Sequence, residues 1–394
     1  MSVLRKKSVY VILFILILYS VILIYAAELI TENSDKKIPK EIYQNSGQLS
    51  ADFKWIKLPL DKKSRYGGLI FNKFSNNFVY VSQNGLFVNI SKSGETSLNQ
   101  VIPKIDVKNH NNVPKFIEIG RLGVRNLYFD EYDKSYVALV SEFDEEKNCH
   151  FFKIILLSNK SNNWKKIDTS TCWDYGTSGS IGGGLVKDKN NIFYSTGFNN
   201  LLTHNIPKNL EKKIQKDMLG KIFKYDMSTM SKSIYAEGFR NPLGLAISNE
   251  KKLYEIEMGP QGGDEINLIE ENGFYGYPYQ TLGVDYGKKK WPLYKEVKHK
   301  LPLYSFLPSA GPSSISFDES IIIDNLIDCV LLMTTLRDES LYLIKLNQNC
   351  SVIQNVERLK LYKRLRRVAV SDGNKPIYAV STDGSNEITL LNFK

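Results

Sequence analysis

Histidine is scarce in this sequence: among 394 residues only His110, His150, His204 and His299 occur. A centre built from several imidazoles therefore has little to draw on. No Cys-x-x-Cys-His run exists, which excludes covalently attached c-type haem and leaves any electron acceptor unspecified. No Gly-x-Ser-x-Gly elbow and no Ser-His-Asp ordering is present, which sets aside a hydrolase of that kind. Helical periodicity of useful length is absent beyond the N-terminal segment. Basic residues exceed acidic ones, 52 to 42, but lysine is spread along the chain rather than clustered. The one compact basic run, Lys363 to Arg367, reads as a strand feeding a site. Nucleic acid is thus not an expected partner.

What is abundant is strand-forming: 23 Tyr and 19 Phe within a chain that is 42% hydrophobic. The first 27 residues stand apart. Arg5, Lys6 and Lys7 precede an uncharged stretch from Ser8 to Ala27, long enough to cross a hydrocarbon core as a helix. The flanking basic residues place that end in the cytoplasm and the rest of the chain outside it. A signal anchor fits residues 1–27 better than a cleaved signal peptide, because Ile24-Tyr25-Ala26-Ala27 is a poor small-x-small site. Cleavage would make the protein secreted; retention would leave it membrane-anchored, periplasmic or extracellular. Residues 28–50 are polar and read as a tether.

Four cysteines agree with an oxidising compartment. Cys149 and Cys172 flank two apolar runs separated by the polar patch Ser158 to Asn163, so a hairpin would bring them opposite each other. Cys329 and Cys350 bracket a similar pattern around Arg337 to Ser340. Two disulfides, Cys149–Cys172 and Cys329–Cys350, are the expectation, with four buried thiols as the alternative.

One unit recurs through residues 51–394: an apolar strand, a polar turn, and a second strand with an aromatic or β-branched centre. Leu69, Leu127, Leu185, Leu245, Ile315 and Ala369 are equivalent anchors, spaced by 58, 58, 60, 70 and 54 residues. Each interval holds about four strands. Six four-stranded sheets repeated radially make an all-β, six-bladed β-propeller, preceded by one N-terminal transmembrane helix. A β-sandwich array would not explain the spacing.

The densest motifs lie between the third and fifth anchors. Arg240-Asn241-Pro242 sits in one loop, and Gly259-Pro260-Gln261-Gly262-Gly263-Asp264-Glu265 in another. The second is a tight loop whose carbonyls and following carboxylates are the oxygen donors that a hard cation such as calcium prefers. Arg240 is suited to clamping a carboxylate through parallel hydrogen bonds.

These residues resemble the pyrroloquinoline-quinone (PQQ)-dependent glucose and aldose sugar dehydrogenases, the glucose/sorbosone dehydrogenase family. The specific matches are Arg240-Asn241-Pro242 to its R-N-P and Gly259 to Asn267 to its G-P-x-G-G-D-E-x-N. Glu118 to Val124, Ser180 to Leu185, Pro312-Ser313-Ser314 and Arg364 to Val368 follow weaker family segments in the right order. The resemblance implies a six-bladed propeller that oxidises a sugar or related alcohol, hydride passing to PQQ held over calcium. It implies that the carbonyls of Gly259 and Pro260 bind calcium, with Asp264 and Glu265 beside them. It also implies that Glu118, Arg240, Asn241, Arg364 and Arg366 lie at the cofactor. The family's catalytic His matches Ser180, which is no competent base without its own activator. A family Arg matches Gly184. A propeller that binds a carbohydrate or protein partner without redox chemistry is the alternative reading.

Overall fold

The innermost strand of each sheet is short, apolar and rich in small residues, because six of them must converge on one axis. Gly68 shows the constraint: a Cβ there would lie 2.2 Å from the Cβ of Leu127 on the next inner strand. The computed structural model describes residues 49–108, 122–170, 172–174, 180–198, 219–284, 294–318, 322–323, 326–327, 329–373 and 375–393. The expected membrane-crossing segment, nearly all of the tether, Glu118, His110 and His204 lie outside the described residues. No helix among the described residues is long and apolar enough to cross a membrane.

Six antiparallel sheets form within the compact unit Gln48–Lys394. Blade 1 comprises Gly67–Asn72, Asn77–Ser82, Phe87–Ile90 and Thr96–Leu98. Blade 2 comprises Gly123–Asp130, Ser135–Asp144, Cys149–Leu157 and Lys165–Thr169. Blade 3 comprises Gly182–Asp188, Asn191–Thr196, Lys221–Asp226 and Ser231–Glu237, with Gly273–Phe274 added in parallel at its edge. Blade 4 comprises Pro242–Ile247, Leu253–Glu257, Asp264–Ile269 and Tyr304–Phe306. Blade 5 comprises Pro312–Asp318, Val330–Thr335, Ser340–Leu346 and Ile353–Lys360. Blade 6 comprises Leu365–Val370, Tyr378–Thr382 and Glu387–Phe393.

The fourth strand of blade 6 comes from the other end of the chain. Ala51 and Asp52 pair with Phe393 and Asn392, and Trp55–Lys57 pairs with Thr389, Ile388 and Glu387. Asn386 reinforces this seam: its side-chain oxygen accepts the Ser64 N–H at 2.9 Å and its amide nitrogen donates to the Lys62 carbonyl at 2.8 Å. Closing the ring in this way removes an exposed edge pair that would otherwise invite other chains.

The core is laminar, lying between neighbouring blades. Val137, Leu139 and Phe152 of blade 2 pack with Leu185, Tyr194 and Phe223 of blade 3. Leu332 and Leu341 of blade 5 pack with Val368 and Val380 of blade 6. Strands covered on both faces carry near-continuous apolar runs, as Val330 to Met333 do in the fully buried Val330–Thr335.

All six sequence anchors sit on innermost strands and line the axial channel of about 450 Å³. Both cysteine pairs form disulfides, each with 5.5 Å between Cα atoms. His150, beside Cys149, is fully buried and hydrogen-bonds Ser141. It is a core histidine rather than a surface one.

Candidate functional site

The cofactor-directed motifs gather at the end of the ring where the innermost strands begin. Two cavities open there, and Met258 lines both.

The larger, about 610 Å³, is cationic. Lys63, Arg65, Arg125, Arg364 and Arg366 line it, with Asp383 as the one carboxylate. Arg366 donates to Asp383 Oδ1 at 2.7 Å and Arg364 to Oδ2 at 3.1 Å. Burial pushes the Asp383 carboxyl up, but Arg366 and Arg364 outweigh it and hold it below its ordinary value. Both Arg125 and Arg366 stack on Tyr66, their guanidinium carbons 3.6 and 4.5 Å from the ring centroid. Arg125 also donates to the Gly182 carbonyl at 2.8 Å. Below them Arg367 is buried and donates to the Gly67 carbonyl at 2.9 Å and to that of Arg125. Burial, with Arg366 and Arg125 nearby, pushes it down to about 9, which leaves it charged at neutral pH. Asn241 completes the wall of this cavity and accepts the Gly182 N–H at 3.1 Å.

The smaller cavity, about 420 Å³, is lined by Arg240, Gly259, Pro260, Asp264 and Arg337 among others. Arg240 and Asn241, at the bend that leads into blade 4, line different cavities. Their loop is fixed from beneath: Glu257 Oε2 accepts the N–H of Arg240 at 2.6 Å and that of Asn241 at 3.3 Å. Arg240 itself donates through Nη1 to the carbonyls of Met258 and Gly259, 2.8 Å each.

Blade 4 carries four buried carboxylates: Glu255, Glu257, Asp264 and Glu265. Burial raises all four. Glu257 is pushed up to about 7, moderated by the Arg240 and Asn241 N–H groups. Asp264 is pushed up to about 6, moderated by the Gly311 N–H and by Arg240. Burial raises Glu255 well above its usual value, with Glu257 adding to it; Glu265 behaves in the same way.

The four residues expected to hold calcium do not present an open oxygen cage. The Gly259 carbonyl already accepts from Arg240, and the Pro260 carbonyl accepts the Gly263 N–H at 3.0 Å. Asp264 Oδ2 accepts the Gly311 N–H at 2.7 Å. Glu265 is next in the strand and faces Asn267, whose amide nitrogen lies 3.5 Å away. Among the described residues no three His, Cys, Asp or Glu side chains converge as metal ligands.

The family model for Glucose / Sorbosone dehydrogenase matches residues 129–390. The chain belongs to the glucose/sorbosone dehydrogenase family. It is 34% identical over 94 residues to aldose sugar dehydrogenase YliI of Escherichia coli, covering 22% of this chain and 24% of that protein. Over 45 residues it is 53% identical to quinoprotein glucose dehydrogenase B of Acinetobacter calcoaceticus, covering 11% of this chain and 9% of that one. These alignments thus span about a quarter or less of the curated relatives. The solved soluble aldose sugar dehydrogenase of E. coli shares the fold, with a TM-score of 0.68 at 20% identity over 88% of this chain and 99% of that one. The PQQ-bound aldose sugar dehydrogenase of Streptomyces coelicolor superposes with a TM-score of 0.58 at 18% identity, covering 88% of this chain and 100% of that one.

Of the glucose/sorbosone dehydrogenase positions read from sequence, Asn241, Arg364 and Arg366 meet at the cationic cavity. Arg240, Gly259, Pro260 and Asp264 meet at the neighbouring one. Ser180 is buried just ahead of the first strand of blade 3 and lines neither. Gly184 has no room for the longer family side chain, since even a Cβ would lie 2.7 Å from Leu245 and 2.8 Å from Ser195 Oγ. Sequence reasoning missed Tyr66, Arg125, Arg337 and Asp383. Arg125 had a signal: it is the one basic residue in the largely apolar strand Gly123–Asp130.

Proposed function

We propose that this chain is a quinoprotein oxidoreductase that oxidises a sugar or related alcohol, with PQQ held at the cationic cavity. The observation that carries the reading is five cationic side chains facing one carboxylate at the ring end of a glucose/sorbosone dehydrogenase family member. PQQ is an anionic quinone, and when bound it would supply the hydride acceptor. Arg364, Arg366 and Arg125 would hold its carboxylates through charge-assisted hydrogen bonds. Tyr66 keeps two of those guanidiniums in place by stacking. Glu257 holds the loop that presents Asn241. The substrate would be a carbohydrate-like small molecule. The chain would be anchored by residues 8–27 with its propeller outside the cytoplasm, a placement that the two disulfides support.

The test is titration of the full chain with PQQ, followed by dye reduction in the presence of a panel of aldoses. Saturable binding weakened at least tenfold by Arg366→Ala, together with dye reduction on at least one sugar, is expected. A folded sample that binds no PQQ would overturn the proposal.

A specific observation favours a second reading, a propeller that binds an anionic ligand without oxidising anything. Ser180 stands where the family has its base, and among the described residues no histidine lines either cavity. PQQ binding without turnover on any sugar would select it.

A further inference from the structure

We propose that the buried guanidinium of Arg240 takes the place of the divalent ion in this site, so that the chain binds its anionic quinone without calcium. The inference rests on the quinoprotein reading above and alters one part of it, the cation.

Arg240 is only 4% exposed, and its guanidinium is anchored by two carbonyls, those of Met258 and Gly259. The Gly259 carbonyl is the oxygen that the resemblance assigns to calcium. A carbonyl has two lone pairs, so one donor does not by itself exclude a second partner. Here, however, the donor is a permanent positive charge in a poorly solvated place. A divalent ion on the same oxygen would meet it at close range and be repelled.

The remaining ligands have also been taken over by the protein. The Pro260 carbonyl accepts from Gly263 across its own turn. Asp264 accepts the Gly311 N–H, and the Gly259 N–H and the Ser309 hydroxyl also bond to it. A carboxylate with three protein donors has few lone pairs left for an ion. The charge that an anion reaching over from the cationic cavity needs is still supplied: Arg240 and Arg337 line the neighbouring cavity, against Asp264 alone, and Met258 lines both. A guanidinium that cannot lose its proton gives a fixed positive site that no chelator removes.

The experiment titrates PQQ into the full chain, once with excess chelator and once with millimolar calcium, and separately titrates calcium alone. The native chain is expected to bind PQQ equally, within threefold, under both conditions. Arg240→Met keeps the stem and removes the charge. It is expected to lose at least tenfold in PQQ affinity in chelator and to recover part of it when calcium is added. Arg240→Lys, which keeps the charge, guards against a folding defect: it should stay calcium-independent. A native chain whose PQQ affinity falls tenfold or more in chelator would overturn the inference.

If PQQ binds under neither condition, the quinoprotein reading fails, and the calcium titration decides the inference separately. One tightly bound calcium per native chain, competing with Arg240, would overturn it. Calcium uptake by Arg240→Met and not by the native chain would support it; uptake by neither would overturn it, because removing the guanidinium would then have opened no cation site.

Discussion

The side-chain oxygen of Asn241 accepts the backbone N–H of Gly182 at 3.1 Å, joining blade 4 to blade 3 where their first strands begin. One residue thus lines the cationic cavity and fixes the segment that follows Ser180. Asn241→Leu would leave a buried N–H unpaired, at a cost of about 1–3 kcal/mol. Thermal unfolding should show a melting temperature lowered by several degrees, and PQQ binding should weaken as well. An unchanged melting temperature would mean that this contact does not hold the two blades together.

The buried carboxylates of blade 4 set a pH dependence. Glu255 and Glu265 are raised well above the ordinary value, Glu257 to about 7 and Asp264 to about 6. In the pH range between the unfolded and folded values the folded chain holds more protons than the unfolded one. Stability therefore falls as pH rises from about 4.5 towards 7 and beyond. Glu255→Gln, at a fully buried position with one carboxylate oxygen lacking any partner, should raise the melting temperature at pH 8 and flatten its slope with pH. Melting curves at half-unit pH steps check this; an unchanged slope would show that Glu255 is not the group that titrates.

Reduction should destabilise the protein in two increments. The disulfides join residues 23 and 21 positions apart, and closing loops of that size is worth roughly 3 kcal/mol each in the chain-entropy treatment. Double serine variants of each pair, melted with and without reductant, separate the contributions. A variant as stable as the parent under oxidising conditions would show that its pair is not linked in the folded protein.

Asn386 is the test of ring closure. It makes three side-chain hydrogen bonds across the seam, to Ser64, Lys62 and Leu60, and adopts a left-handed φ of 53°, a conformation that Asn tolerates better than Ala. Asn386→Ala should lower the denaturant midpoint by an amount equivalent to about 2–3 kcal/mol. Asn386→Gly, which relieves the backbone cost and keeps the hydrogen-bond loss, should fall between the two. Equal midpoints for all three would show that the seam contributes nothing.

The blades were legible because each must present a small apolar strand to the same axis. Leu69, Leu127, Leu185, Leu245, Ile315 and Ala369 repeat for that reason, and all six line the channel. The pair Cys149–Cys172 was legible because a hairpin brings equidistant residues together; in the second pair Cys329 lies across from Leu346, and Cys350 reaches it from the turn that follows. The strand from Ala51 to Asp52 was harder to assign, since its partner lies at the opposite end of the chain and no local pattern marks it. At the site, the Arg240-Asn241 motif could be read, but its division between two cavities could not. That division depends on which way each side chain leaves the backbone. Tyr66 and Asp383 were invisible for a related reason: Tyr66 acts on Arg125 and Arg366 of blades 2 and 6, Asp383 acts on Arg366 of another strand of its own blade, and single residues in polar loops carry no periodic signal.

The seam sets an order of events during synthesis. Ser64 waits for Asn386 and Lys54 for Thr389, partners separated by 322 and 335 positions. Contacts so distant in sequence form late and slowly. Five blades can assemble as the ribosome works, but the sixth stays open until the strand Glu387–Phe393 has emerged. Until then Ala51–Asp52, Trp55–Lys57 and Tyr378–Thr382 lack their partner and would be free to pair with a neighbouring molecule.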